Sequence, residues 1–196
     1  MIRDIDRTLI GREQIAARVR EMGRQVASDI ERELRAEGSG PDEGGRVAII
    51  SIMTGALIFT ADLVREMPLK LSLELVTVSS YPGASTMSKG AAMRSVLPKD
   101  LAGKHVLILD DILDSGQTLD LVRRLVLEQA PATVRICVLL RKLVPRVVEV
   151  AADYIGFDIP NEFVVGYGLD YDGYYRNHPE IAVLRAPPDG AQGNPA

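Results

Sequence analysis

The 196-residue sequence predicts an α/β fold, a mostly parallel sheet flanked by helices. Three observations predict it. Short apolar, β-branched runs recur at 46–53, 71–80, 105–111 and 133–141, each with the length of a buried strand. Stretches with helical apolar spacing stand between or before them. Such alternation joins parallel strands through helical crossovers, and sheets of this kind bind ligands at the carboxyl ends of their strands.

Ile15, Val19, Met22, Val26, Ile30 and Leu34 recur every three or four positions among polar residues, as one buried helix face requires. Gly23 weakens that helix by about 1 kcal/mol relative to Ala. "EGSGPDEGG" (37–45) ends the periodicity, and "RVAIISIM" (46–53) reads as the first strand. A helix is expected over 56–66, and "LSLELVTVSS" (71–80) is the second strand. Residues 80–97 exceed the ~12–15 residues of an ordinary connection, which predicts a mobile lid. "HVLILDD" (105–111) is the third strand, followed by a loop over Ile112 to Gly116 and a helix starting near Thr118. "TVRICVLLR" (133–141) is the fourth. The Pro/Gly/Ala-rich residues 187–196 have nothing to bury and are expected to be disordered, which leaves 1–186 as a single domain.

A composition of 46% apolar and 26% charged residues suits one globular domain with a substantial core. The net charge of -4 argues against nucleic acid as the main partner. Cys137 stands alone, which excludes a disulfide framework or cysteine zinc cluster and points to a reducing, cytoplasmic setting. No apolar run approaches the ~20 residues a membrane helix needs, and "MIRDIDRTLIGRE" lacks the apolar centre of a secretory signal. His105 is expected to start a strand and His178 to be exposed, with no zinc or nucleophile constellation around either.

The densest chemistry lies in "VLILDDILDSGQTLDLVRR" (106–124), where Asp110, Asp111 and Asp114 directly precede Ser115, Gly116, Gln117 and Thr118. A helix start carries unpaired N–H groups and roughly half a positive charge, so residues 115–118 can surround a phosphate. No Walker loop and no G-x-G-x-x-G occurs. The acids therefore serve another part of the ligand. Carboxylates suit sugar hydroxyls or a hard divalent cation, and a ribose 5-phosphate presents both needs within a few ångströms.

"VLILDDILDSGQTL" resembles the 5-phosphoribosyl-1-pyrophosphate (PRPP) motif of the type I phosphoribosyltransferase family. "SSY" before the long loop, "LLRKLVPR", and "YIGFDIPNEFVVGYGLDYDGYYRN" resemble its hypoxanthine-guanine branch, with order and spacing agreeing from Ile15 to Arg185. The resemblance implies the type I phosphoribosyltransferase fold with a small hood built from both chain ends. It implies purine salvage: ribose 5-phosphate passes from PRPP to N9 of hypoxanthine or guanine, giving IMP or GMP and pyrophosphate, with Mg2+.

Residue by residue, it implies that Asp110 and Asp111 hold ribose hydroxyls and the metal shell, and that Asp114 is the general base handling the proton at purine N7. Ser115, Gly116, Gln117 and Thr118 bind the 5-phosphate. Lys142 donates to the purine O6, Phe163 stacks on the base, and the Val164 carbonyl accepts from its edge. Asp170 lies beside metal and base. Thr54, Gly55 and Arg176 bind pyrophosphate, and Ser80 and Tyr81 belong to the lid. The turn at Met53-Thr54 can hold a cis peptide in relatives. Thr54 departs from the family's lysine, Gln117 from the lysine of some relatives, and Pro82 and "KGAAMRS" from the usual lid. A homodimer or homotetramer is expected. Two other readings are a sibling enzyme acting on xanthine or another base, and a PRPP-sensing RNA-binding regulator of the same fold. The latter calls for a basic face that the charge balance does not favour.

Overall fold

The computed structural model describes residues 4–40, 42, 44–79 and 92–185. In chain order it contains β1 (Ile5–Ile10), α1 (Arg12–Ala36), β2 (Val47–Met53), α2 (Leu57–Arg65), β3 (Leu71–Ser79), β4 (Ala92–Met93), β5 (His105–Leu113), α3 (Gln117–Leu127), β6 (Thr133–Lys142), β7 (Tyr154–Ile159), β8 (Val164–Val165) and β9 (Ile181–Leu184). The main sheet has the order β4-β3-β2-β5-β6-β7. Its five long strands are parallel, and only the short β4 runs antiparallel against β3. The expected parallel α/β architecture is therefore the one observed.

Successive side chains of a strand point to opposite faces, so a strand covered on both sides is apolar throughout. In β2, Ile49 joins the core under α1 and α2, while Ile50 joins the core under α3. Leu107 and Ile108 divide the same way in β5. The six periodic residues of α1 are all buried. Gly23 is explained by helix packing: a β-carbon there would lie 2.6 Å from the Glu66 β-carbon, so its weak propensity is exchanged for a close approach of α1 to α2. At the start of α1, the Gln14 side chain accepts a 3.0 Å hydrogen bond from Gly11 N.

Several boundaries differ from expectation. β5 continues through Ile112 and Leu113, which were expected in a loop; both are buried and pair with Leu140 and Arg141 of β6. β7 has no counterpart in the predicted elements. Gly156 and Asp158 break its apolar pattern, and Gly156 is required because a β-carbon would overlap the Leu139 carbonyl of β6. Arg18 of α1 holds this edge by donating to the carbonyls of Ile155 (2.7 Å) and Gly156 (3.0 Å). His105 starts β5 as expected. His178 is not exposed: its side chain is 13% accessible, packed against Gly166, while its carbonyl accepts from Tyr167 N at 2.7 Å.

β1, β9 and β8 form a separate antiparallel sheet, the hood, joining both ends of the chain. Arg7 pairs with Glu162, and Thr8 donates to Glu180 at 2.8 Å. Residues 80–91 of the expected lid lie outside the described residues, and so do Ser80 and Tyr81 and the whole 187–196 tail. The far end of the lid stretch is anchored, because Met93 pairs with Val78 and Ala92 with Ser79. No helix among the described residues is long and apolar enough to cross a membrane.

Candidate active site

Parallel strands end on one rim, and the singled-out residues of the core cluster there. β2 ends at Met53 and leads into Thr54 and Gly55; β5 delivers Asp110, Asp111 and Asp114; β6 ends at Lys142. Asp110 and Asp111 still lie within β5, so the sheet backbone fixes their positions. Asp110 is buried, and its carboxylate accepts from Asp111 N at 3.1 Å; Asp111 accepts from Ile112 N at 2.9 Å. Burial, with the neighbouring Asp111 charge second, raises the Asp110 pKa well above the usual carboxylate range. Asp111 is also raised by burial, against which its hydrogen bonds and the Arg176 charge act.

The next turn is a cradle. Gly116 caps α3 with φ 80°, a left-handed conformation that glycine adopts without strain, and a β-carbon there would overlap the Val148 carbonyl. The first helical bond runs from Asp120 N to Gly116 O at 3.0 Å, so the amides of Gln117 and Thr118 precede the helical ladder. Gln117 N reaches Ser115 Oγ at 3.4 Å. Asp110, Asp114, Ser115, Gly116 and Thr118 line one cleft. A dianion placed in it meets helix-end donors on one side and acids on the other.

Lys142 departs most from what a strand-end lysine ordinarily does. Its side chain is 0% exposed, and its Nζ donates to Asp114 Oδ2 at 2.7 Å. A cationic donor and an anionic acceptor thus stand side by side. Phe163 enters the hood four residues beyond β7 and meets Tyr171 edge-on, with ring centroids 5.4 Å apart; Val164 pairs with Val183.

A third group surrounds Gly55. The peptide between Met53 and Thr54 is cis. A β-carbon on Gly55 would overlap the Asp111 carboxylate, and one on Gly168 would overlap the Gly55 carbonyl. The β2 turn, the β5 acid and the hood are therefore packed together through absent side chains. Sequence reasoning singled out Gly55 for its backbone and missed Gly168, whose signal was only its place in "GYGLD". Arg176 donates to the Gly168 carbonyl at 2.7 Å and pairs with Asp170 at 2.8 Å; Asp170 also accepts from Gly173 N at 2.7 Å.

Asp110 and Asp111 offer hard oxygen donors whose proximity and burial disfavour two negative charges, and a cation relieves both penalties. That donor set fits magnesium, which is commonly held by one or two carboxylates together with substrate phosphates. Asp170 does not join them in a ready three-acid cage among the described residues.

Residues 19–172 match the family described as Phosphoribosyl transferase domain. The chain is 44% identical over 182 residues to the hypoxanthine-guanine phosphoribosyltransferase of Mycobacterium avium, covering 92% of this chain and 86% of that protein. It is 38% identical over 176 residues to the hypoxanthine phosphoribosyltransferase of Escherichia coli, covering 90% and 93%. The crystal structure of a hypoxanthine phosphoribosyltransferase from Staphylococcus aureus superposes with a TM-score of 0.82 at 34% identity, over 94% of each chain. That of the Trypanosoma cruzi hypoxanthine phosphoribosyltransferase gives 0.83 at 35%, over 93% of this chain and 97% of that one. Sequence, fold and the placement of acids and amides on one rim agree, and the chain belongs to the phosphoribosyltransferase family of transferases.

Proposed function

We propose that this enzyme salvages 6-oxopurines, transferring ribose 5-phosphate from PRPP to N9 of hypoxanthine or guanine with release of pyrophosphate. The names of its relatives support this reading, and one observation carries it: the Lys142–Asp114 pair at 2.7 Å. A 6-oxopurine offers an acceptor at O6 beside a nitrogen whose proton must be managed. A fixed ammonium next to a carboxylate matches that edge. Adenine would set an amino group against the ammonium, donor against donor, and mismatches of this kind discriminate by as much as ~10⁴.

As the bond at the anomeric carbon breaks, positive charge grows on the ribose ring and negative charge on pyrophosphate. Asp110 and Asp111 place negative potential beside the ring and receive its hydroxyls. The amides of residues 115–118 hold the 5-phosphate, with Ser115 and Thr118 adding hydroxyl donors. Thr54 and Gly55 offer backbone N–H groups to pyrophosphate, and Arg176, swinging from Asp170, adds a planar guanidinium suited to that anion. Asp114 takes the N7 proton, Lys142 fixes O6, Phe163 stacks on the base and Val164 borders its edge. Bound Mg2+, held by Asp110 and Asp111 with Asp170 nearby, would neutralise charge developing on pyrophosphate.

Residues 1–186 act as one domain with a lid over 80–97 that excludes water, in a cytoplasmic enzyme. Self-association as a homodimer or homotetramer is supported by the exposed Leu57, Leu73 and Leu75 on α2 and β3. The test is a panel of purines with PRPP and magnesium, read as pyrophosphate release. Turnover of hypoxanthine or guanine with little for adenine is expected. Xanthine turnover far above both, or salt-sensitive RNA binding without purine turnover, would overturn the assignment.

A further inference from the structure

Arg146 is not accounted for by any role assigned so far. It lies in "KLVPRVVEV", the segment 142–150 that leaves β6 and reaches the start of the β7 connection without joining a helix or strand after Lys142. Its side chain is only 13% exposed, an unusual degree of burial for an arginine in a loop. Most charged surface arginines of this chain meet a carboxylate closely, as Arg141 meets Asp158 at 2.6 Å. Arg146 does not. The acid printed beside it, Glu149, is 3.9 Å away and 80% exposed, which makes that pair weak. Its short contact is to a backbone atom: Nη2 donates to the Lys142 carbonyl at 3.0 Å. Its Nε is buried with no hydrogen-bond partner among the described residues. A guanidinium desolvated for the sake of one carbonyl is there to fix that carbonyl.

What it fixes joins the two ends of the cleft. Lys142 stands at the base end, holding Asp114 at 2.7 Å. Six residues on, Val148 N donates to the Ser115 carbonyl at 3.0 Å, and the Val148 carbonyl closes over Gly116, whose hydrogen leaves just enough room. Leu143 N is tied to the Ile159 carbonyl at 3.0 Å. Between those anchors, Val144 is restricted by the following proline, Pro145 has a fixed φ, and Arg146 draws the bend back onto Lys142 four residues earlier. The segment is a brace whose length sets the distance from Lys142 to the phosphate cradle.

We propose that Arg146 is a positioning residue that holds the base end and the phosphate end of the site at the spacing of one nucleotide. The proposal rests on the purine-nucleotide reading given above. A ligand touching both ends gains from their correct spacing, because binding at one end presents it to the other at high effective concentration; a ligand touching one end gains nothing from it. Loosening the brace therefore weakens the spanning ligand selectively. A residue that only stabilises the fold would not distinguish the two.

The experiment measures equilibrium binding of IMP, which spans the site, and of ribose 5-phosphate, which fills the phosphate end alone, to wild type, Arg146→Ala and Arg146→Lys. Arg146→Ala is expected to weaken IMP by about 10-fold while ribose 5-phosphate changes by less than about 2-fold. Methylguanidinium is expected to restore IMP affinity to Arg146→Ala and leave wild type unchanged. Arg146→Lys keeps the charge without the planar fork and should fall between them. Equal losses for both ligands, or unchanged IMP affinity, would overturn the proposal. If Arg146→Ala loses its far-ultraviolet circular dichroism, the same comparison is read on Arg146→Lys, where equal losses again overturn it. Absence of IMP binding to folded wild type would instead refute the purine-nucleotide reading itself.

Discussion

The Lys142–Asp114 pair makes an asymmetric prediction about stability. Lys142 is 0% exposed and Asp114 18% exposed, so the two partners differ in what remains when the other is removed. Asp114→Ala leaves an ammonium enclosed by protein with no acid beside it. Breaking a buried pair in this way costs about 3–5 kcal/mol. For a chain of this size, where each kcal/mol moves Tm by about 2–4 °C, the melting point should fall by about 10 °C. Lys142→Met keeps most of the volume of the stem and leaves a carboxylate that water can reach, so its loss should stay near 1–2 kcal/mol. In the double variant no charge is stranded, and the loss should be no larger than that of Lys142→Met alone. Urea titrations and thermal melts of the four proteins close a double-mutant cycle with a coupling of about 3 kcal/mol. Equal losses from the two single variants, or additive losses in the double, would refute this account of the pair.

Three further outcomes follow from the geometry. Because burial and the Asp111 charge raise the Asp110 pKa, the native site binds a proton more tightly than the unfolded chain. That contribution favours the fold below the unfolded carboxylate pKa near 4 and is lost as pH rises through the folded value. Asp110→Asn should therefore melt above wild type at neutral pH, with the gap closing toward pH 4 in melts across that range, while transfer activity is lost. Gly55→Ala forces a β-carbon into the Asp111 carboxylate, and steady-state kinetics should show kcat/KM reduced by about 100-fold with the secondary structure unchanged. Lys142→Gln offers an acceptor as well as a donor to the base, so the ratio of hypoxanthine to adenine turnover should fall; an unchanged ratio would remove Lys142 from base selection.

The alternation of strands and helices was legible because burial leaves its period in the sequence: the six apolar positions of α1 and the unbroken runs of β2 and β5 are all buried. β7 was not legible, since a glycine that packs on Leu139 and an exposed Asp158 paired to Arg141 erase its pattern. The cluster from Asp110 to Thr118 could be read because its members are neighbours in the chain. The extent of β5 could not, because only the length of β6 alongside shows that Ile112 and Leu113 remain paired. Lys142 looks like an ordinary solvated lysine until a carboxylate 28 residues earlier is placed against it. The stacking of Gly168 on Gly55 on Asp111 joins three loops distant in sequence, and glycine carries no side chain to announce such a contact.

The central claim is tested most directly by a crystal structure of this chain with IMP. The account places the 5′-phosphate on the amides of residues 115–118, the ribose hydroxyls against Asp110 and Asp111, and the base between Phe163 and the Lys142–Asp114 pair. A nucleotide bound with its phosphate away from residues 115–118, or with its base out of reach of Lys142, would contradict it.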